Sequence, residues 1–228
     1  MSQYDLKTVE FDNLGTTIYQ TLCEGLIKGN FKPGDRLKIR DIATELGTSV
    51  TPVRDAVLRL VQDEALVMKS ARDIRVQHLT KAAYLEIRSI RVRLEGLAAE
   101  TAAHVATPAD IARLEALLVE NEAAMRAGDT LRATELNQVF HFLLADIAGM
   151  PVLQGILRRL WLRMGPMIAD VYAGAGRSMI DHHYPIVASI REHDGTSAAR
   201  ALQQDIVEGG GAILERLTEL EMSIDSAA

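Results

Sequence analysis

The stretch Thr48-Ser49-Val50-Thr51-Pro52-Val53-Arg54-Asp55-Ala56-Val57-Leu58-Arg59-Leu60 decides how the N-terminal part of this chain is read. Val53, Ala56, Val57, Leu60 and Val61 recur at helical spacing and predict an inward apolar stripe. Arg54 and Arg59 fall outside that stripe and face outward. Ser49, or Thr48 beside it, is a candidate N-cap whose hydroxyl accepts a backbone N–H. Pro52 falls in the first turn, where a missing N–H costs nothing. The start of such a helix can face a phosphate, because its free N–H groups point outward. These are the requirements of a helix that reads DNA.

The flanking residues complete a unit. Ile39, Ile42, Ala43 and Leu46 predict a short helix stopped by Gly47, so only a few residues separate it from the next helix, as in a helix-turn-helix. Upstream, Leu14, Ile18, Leu22, Leu26 and Ile27 predict a helix from Asn13 that Gly29-Asn30 ends, with Cys23 packed beside its stripe. The first ten residues read as a loose arm. Downstream, Leu66-Val67-Met68 and Ile74-Arg75-Val76 flank Lys69 to Asp73 and predict a β-hairpin wing.

With 228 residues, 48% of them hydrophobic, the chain can form one or two domains with substantial cores. No apolar run approaches the roughly 20 residues of a membrane span, and the single Cys23 excludes an intramolecular disulfide framework. A cytoplasmic protein with no membrane partner is expected. The net charge of −6 is unevenly placed: residues 1–79 carry 11 basic and 11 acidic side chains, residues 80–228 carry 14 and 20. The acidic remainder is a poor phosphate-binding surface.

From Lys81 onward the pattern is helical, in segments at about 80–105, 107–127, 129–148, 151–173, 177–193 and 195–222. Thr107, Asp129 and Asp194 are expected caps, and Gly174-Ala175-Gly176 is a break. Gly209-Gly210-Gly211 marks a kink or a close helix crossing. The fold class expected is mainly α: an N-terminal winged helix-turn-helix at 1–79 and a C-terminal all-α helical bundle at 80–228.

Four polar residues occupy apolar faces of that bundle. Arg91 aligns with Tyr84, Ile87, Leu94 and Ala98; His141 shares a face with Asn137 and Leu144; His183 shares one with Ile186, Val187 and Ile190; Asp205 falls among Ala198, Ala201 and Leu202. Buried groups of this kind need one another, a metal or a ligand. The His, His, Asp and Asn side chains can converge on one ion, and Arg91 can offer a fork to a carboxylate. His78, His104, His182 and His193 read as junction, helix-end or solvent-facing residues, and Trp161 as core or interface. No nucleophile elbow, P-loop or dinucleotide fingerprint is present, so an enzyme is not expected.

The blocks Gly29-Asn30-Phe31-Lys32-Pro33-Gly34-Asp35-Arg36-Leu37, Ile42-Ala43-Thr44-Glu45-Leu46-Gly47 and Ser49-Val50-Thr51-Pro52-Val53-Arg54-Asp55-Ala56 resemble the winged helix-turn-helix of GntR-type transcription regulators. Tyr84, Arg91, Glu95, Asn137, Phe140, His141, His183 and Ile186 resemble the FCD effector domain of the FadR branch, in a VanR-like six-helix form. The resemblance implies operator DNA contacts at Arg40, Ser49, Val50, Thr51, Pro52 and Arg54, with Arg72 from the wing. It implies a divalent metal, zinc first and nickel or manganese as alternatives, on Asn137, His141, His183 and Asp205. Asn137 stands where many members have an Asp, and Asp205 where they have a His. A homodimeric repressor released by a small organic acid at Arg91 is the function implied. Two alternatives stay open: the histidines hydrogen-bond an organic effector without metal, or the ion itself is the signal. Two departures stand out. Val50 occupies a position that is usually arginine, and Asp73 a wing position that is usually glycine, where its charge is expected to repel phosphate.

Overall fold

The computed structural model describes residues 14–175 and 178–225; the expected N-terminal arm and Asn13 lie outside the described residues, as does Gly176 of the glycine-rich break. The N-terminal part consists of α1 (Leu14–Ile27), β1 (Arg36–Leu37), α2 (Ile39–Glu45), α3 (Val50–Gln62), β2 (Leu66–Ser70) and β3 (Asp73–Val76). Helix α3 buries Val53, Ala56, Val57 and Leu60 as its spacing predicts, while Val61 is half-buried. One expectation fails at its start. Ser49 is the N-cap by position, with φ −81° and ψ 162°, yet its hydroxyl makes no capping bond. The backbone alone turns the chain into the helix.

The wing is a three-stranded antiparallel sheet in the order β1-β3-β2, not a bare hairpin. Strand β1 has two residues, too few for any alternation to reveal, and pairs Arg36 with Arg75 and Leu37 with Ile74. The hairpin is longer than predicted: Lys69 and Ser70 belong to β2, leaving only Ala71 and Arg72 in the turn.

The helical part runs α4 (Lys81–Val105), α5 (Pro108–Ala127), α6 (Thr130–Ile147), α7 (Pro151–Ala175), α8 (Ser178–Asp181), α9 (His183–Arg191), α10 (Gly195–Gln204) and α11 (Gly211–Asp225). Thr107, Asp129 and Asp194 each accept a backbone N–H and begin α5, α6 and α10. Two predicted segments are not single helices. His182 separates α8 from α9, and a π turn at Asp205–Gly209 separates α10 from α11. The glycines explain the second break: a Cβ on Gly210 would lie 2.3 Å from Tyr84 Oη on α4. Tyr84 Oη donates to the Gly210 carbonyl at 2.8 Å, so the glycine run is both a distortion and a close crossing.

Helix α4 runs against α6, α7, α9, α10 and α11. One buried apolar cluster continues from α1 and α3 through α7, with Leu26, Leu60, Leu157 and Trp161, to Ile213 and Leu217 on α11. A second, with Leu114, Phe140, Ile186 and Leu202, fills the space between α4, α5, α6, α9 and α10. The two parts of the chain touch through α1 and α7. A Cβ on Gly165 would lie 2.6 Å from both Ile27 Cα and the Leu26 carbonyl oxygen, so only glycine permits this approach. Lys28 and Glu135, 2.9 Å apart, add an ion pair across the same junction. Among the described residues no helix is long and apolar enough to cross a membrane.

Candidate functional site

The polar residues that spacing placed on four separate helical faces converge in the bundle. Helices α4 and α6 supply Arg91 and His141, α9 supplies His183, and the π turn supplies Asp205. The wider turn lets Asp205 enter the interior as α10 ends. All of them, with Asn137, are buried. His141 Nε2 lies 3.5 Å from Asp205 Oδ2, and His183 Nε2 lies 3.6 Å from Asp205 Oδ1. One ligand atom from each of the three residues falls within 4.8 Å of the others. Donors about 2.1 Å from a tetrahedral ion stand about 3.4 Å apart, close to these separations.

The electrostatics agree. Both ring nitrogens of His183 are buried without a hydrogen-bond partner, an arrangement that costs free energy unless a cation or donor meets the bare nitrogen and an acceptor meets the N–H. Burial pushes the His183 imidazole well below its ordinary pKa, and His141 adds to that effect, so the ring is neutral and one nitrogen keeps a free lone pair. Phe140 stacks on the ring, with centroids 4.1 Å apart and planes 11° from parallel, and fixes its orientation. Burial pushes the Asp205 carboxyl upward, as expected of an acid in apolar surroundings without enough positive charge beside it. The donor set fits a divalent cation: two imidazoles and a carboxylate. His141, Asp205 and the Asn137 amide line one small cavity, and His183 lies just behind Asp205.

Glu95 is the site residue that spacing did not single out. His141 Nδ1 lies 2.7 Å from Glu95 Oε2. An ionised carboxylate only accepts, so His141 donates from Nδ1, and its Nε2 is the atom turned toward Asp205. Burial alone would raise the Glu95 carboxyl, but Arg91 and then His141 outweigh it and hold its pKa at about 2. Arg91 grips Glu95 through Nε and, at 3.2 Å, through Nη2. Its third nitrogen, Nη1, faces Met164 Sδ at 4.0 Å, and its Cζ lies 4.6 Å from the Trp161 ring centroid. Arg91 is therefore not an open fork; it is two-thirds committed to Glu95 and still lines the cavity. Their i, i+4 spacing was the signal that could have linked the pair. The cavity measures about 30 Å³, room for an ion with a water but not for an organic acid.

The N-terminal part brings its predicted residues together in a second place. A groove of about 490 Å³ between α2, α3 and the wing is lined by Arg40, Val50, Arg54 and Arg72, with Arg36 and Lys38. Ser49, Thr51 and Arg54 are exposed at or near the start of α3, while Val50 and Pro52 are half-buried. Val50 packs against the core where the resemblance implies an arginine. Arg59, also outward, is taken by Tyr19, its Cζ 4.0 Å from the ring centroid. Asp73 does not present a bare charge: Arg75 Nε donates to it at 2.8 Å.

Residues 14–76 match the gntR family of bacterial regulatory proteins, and residues 86–208 match the FCD domain. The chain is 33% identical over 186 residues to the HTH-type transcriptional regulator McbR of Escherichia coli K12, covering 78% of this chain and 84% of that one. It is 24% identical over 194 residues to the HTH-type transcriptional repressor RspR of the same organism, covering 84% and 85%. The solved structure of E. coli McbR superposes with a TM-score of 0.84 at 30% identity, over 90% of this chain and 99% of that chain. A GntR regulator from Rhodococcus sp. RHA1 shares the fold, with a TM-score of 0.76 at 20% identity over 90% and 99%. The matched families and relatives are transcription regulators, not enzymes. A DNA-binding winged helix-turn-helix joined to an FCD domain makes this chain a member of the GntR family of bacterial transcription regulators.

Proposed function

We propose that this regulator is a cytoplasmic homodimeric repressor, with a reading head at 1–79 and an effector-binding part at 80–228. Arg40, Ser49, Val50, Thr51, Pro52 and Arg54, with Arg72 of the wing, face operator DNA. His141, His183, Asp205 and Asn137 hold a divalent ion, zinc in the first place and nickel or manganese as alternatives. The observation that carries the metal reading is His183 Nε2, buried without a hydrogen-bond partner and 3.6 Å from Asp205 Oδ1. An ion held there would supply a Lewis-acidic anchor for a small organic acid, and Arg91 lines the same cavity.

The small cavity bears on how such an effector acts. An organic acid needs more than about 30 Å³, so its arrival must displace lining groups on α4, α6, α7, the π turn or α11. Helix α7 carries Trp161 in the cavity wall and Gly165 against α1. Displacement of α7 shifts the reading head, and an effector that prefers one arrangement changes operator affinity by linkage.

The test uses elemental analysis of the purified protein and fluorescence anisotropy on a duplex that the protein itself selects from a random-sequence library. Metal should co-purify and be lost from His183→Ala. Arg54→Ala should weaken DNA binding by about 1–3 kcal/mol. Organic acids that release DNA should lose that effect once a chelator has stripped the protein. Release that survives metal removal favours a metal-free effector site, and release by the ion alone favours metal sensing.

A further inference from the structure

Asp73 opens β3, the central strand of the wing sheet, beside the Ala71-Arg72 turn, where a carboxylate alone would weaken phosphate contact by the wing. Its surroundings give it another task. Arg75 Nε donates to Asp73 Oδ1 at 2.8 Å, and Arg36 Nε lies 4.0 Å from the same oxygen. Arg36 also donates to the Arg72 carbonyl, from Nε at 3.2 Å and from Nη2 at 2.6 Å. Arg75 Nη1 in turn donates to the Gly34 carbonyl at 3.3 Å. Arg36 and Arg75 are cross-strand partners on β1 and β3, so the two guanidiniums tie the turn to the short strand behind it. The Arg72 N–H donates to Ser70 Oγ at 3.3 Å. With its carbonyl and N–H both held, the Arg72 backbone is fixed and its side chain lines the groove that Arg40 and Arg54 share.

We propose that Asp73 and Arg36 are positioning residues for DNA binding, a clamp that sets the wing turn so that Arg72 reaches the DNA. The inference rests on the reading of Arg72 as a DNA contact. It reverses the sign expected from charge alone. Removing a carboxylate from a DNA-facing surface should tighten binding if Asp73 only repels phosphate, and weaken it if Asp73 orders the turn.

The experiment is a double-mutant cycle on the full chain, read by anisotropy on the library-selected duplex across a salt series. Asp73→Ala should weaken binding about fivefold despite the gain in positive charge, and the charge-conserving Arg36→Lys should weaken it comparably. Arg72→Ala should flatten the salt dependence by about one counterion. In the Arg72→Ala background, Asp73→Ala and Arg36→Lys should have lost most of their effect, with thermal midpoints unchanged throughout. Tighter binding by Asp73→Ala overturns the clamp, and so does an equal loss in both backgrounds, which marks general damage to the wing. If Arg72→Ala leaves affinity untouched, the clamp and the reading of Arg72 fall together; the first two outcomes leave that reading standing.

Discussion

At the residue scale, His183 is the most informative position. Its ring is stacked on Phe140 and fully enclosed, yet neither nitrogen has a hydrogen-bond partner. A ring serving only as packing would be replaced by phenylalanine at no loss, and the buried polar atoms would vanish with it. His183→Phe should therefore leave the metal-free protein as stable as the native chain or more so, and abolish the rise in thermal midpoint that zinc gives the native chain. Calorimetry with and without zinc decides this; a zinc-dependent rise that persists in the variant sinks the metal assignment. Val50 poses a second residue-scale question, since it lines the groove proposed to meet DNA with an apolar side chain. Val50→Arg should raise DNA affinity and steepen its salt dependence by about one counterion, measured by anisotropy. The importance of both residues was visible in their spacing and motif positions. The role of Glu95 was not visible in the same way, because its work depends on lying beside His141, 46 positions away.

At the scale of elements, α7 connects the two functional regions. Trp161 sits 5.4 Å from the His141 ring by centroid, and Gly165, one turn further on, lets the helix touch the α1 backbone. A methyl group there meets backbone atoms, which cannot yield cheaply as a side-chain tip would. Gly165→Ala should cost about 1–3 kcal/mol of stability, read as a lower thermal midpoint. It should also change how far an effector shifts DNA affinity, because the α1–α7 contact is the proposed route. Most elements here were readable in advance. Thr107, Asp129 and Asp194 begin helices because a short oxygen-bearing side chain answers free N–H groups locally. The glycine run announces a kink or a crossing, but not that the break is a π turn beginning at Asp205, which depends on Tyr84 of α4 meeting the chain at Gly210.

At the scale of the whole molecule, the proposed homodimer would present two reading heads to a two-fold operator. Light scattering should return a mass of twice 25.0 kDa at concentrations that bind DNA; a monomeric mass there rejects the homodimer. The division of information between chain and fold follows from the range of the interactions. Helix spacing, caps, breaks and the Pro-Gly-Asp-Arg-Leu and Ser-Val-Thr-Pro-Val-Arg blocks act over a few residues, so the sequence by itself determined the winged helix-turn-helix, the helical bundle and the list of misplaced polar residues. Only the tertiary structure decided what those residues do to one another. Glu95 orients His141 and occupies Arg91, the π turn brings Asp205 within 3.6 Å of His183, and Arg36 and Arg75 turn Asp73 from an exposed charge into a partner. Apart from the local Arg91–Glu95 and Asp73–Arg75 pairs, those outcomes depend on distances between residues tens of positions apart, which only the packing of the elements sets.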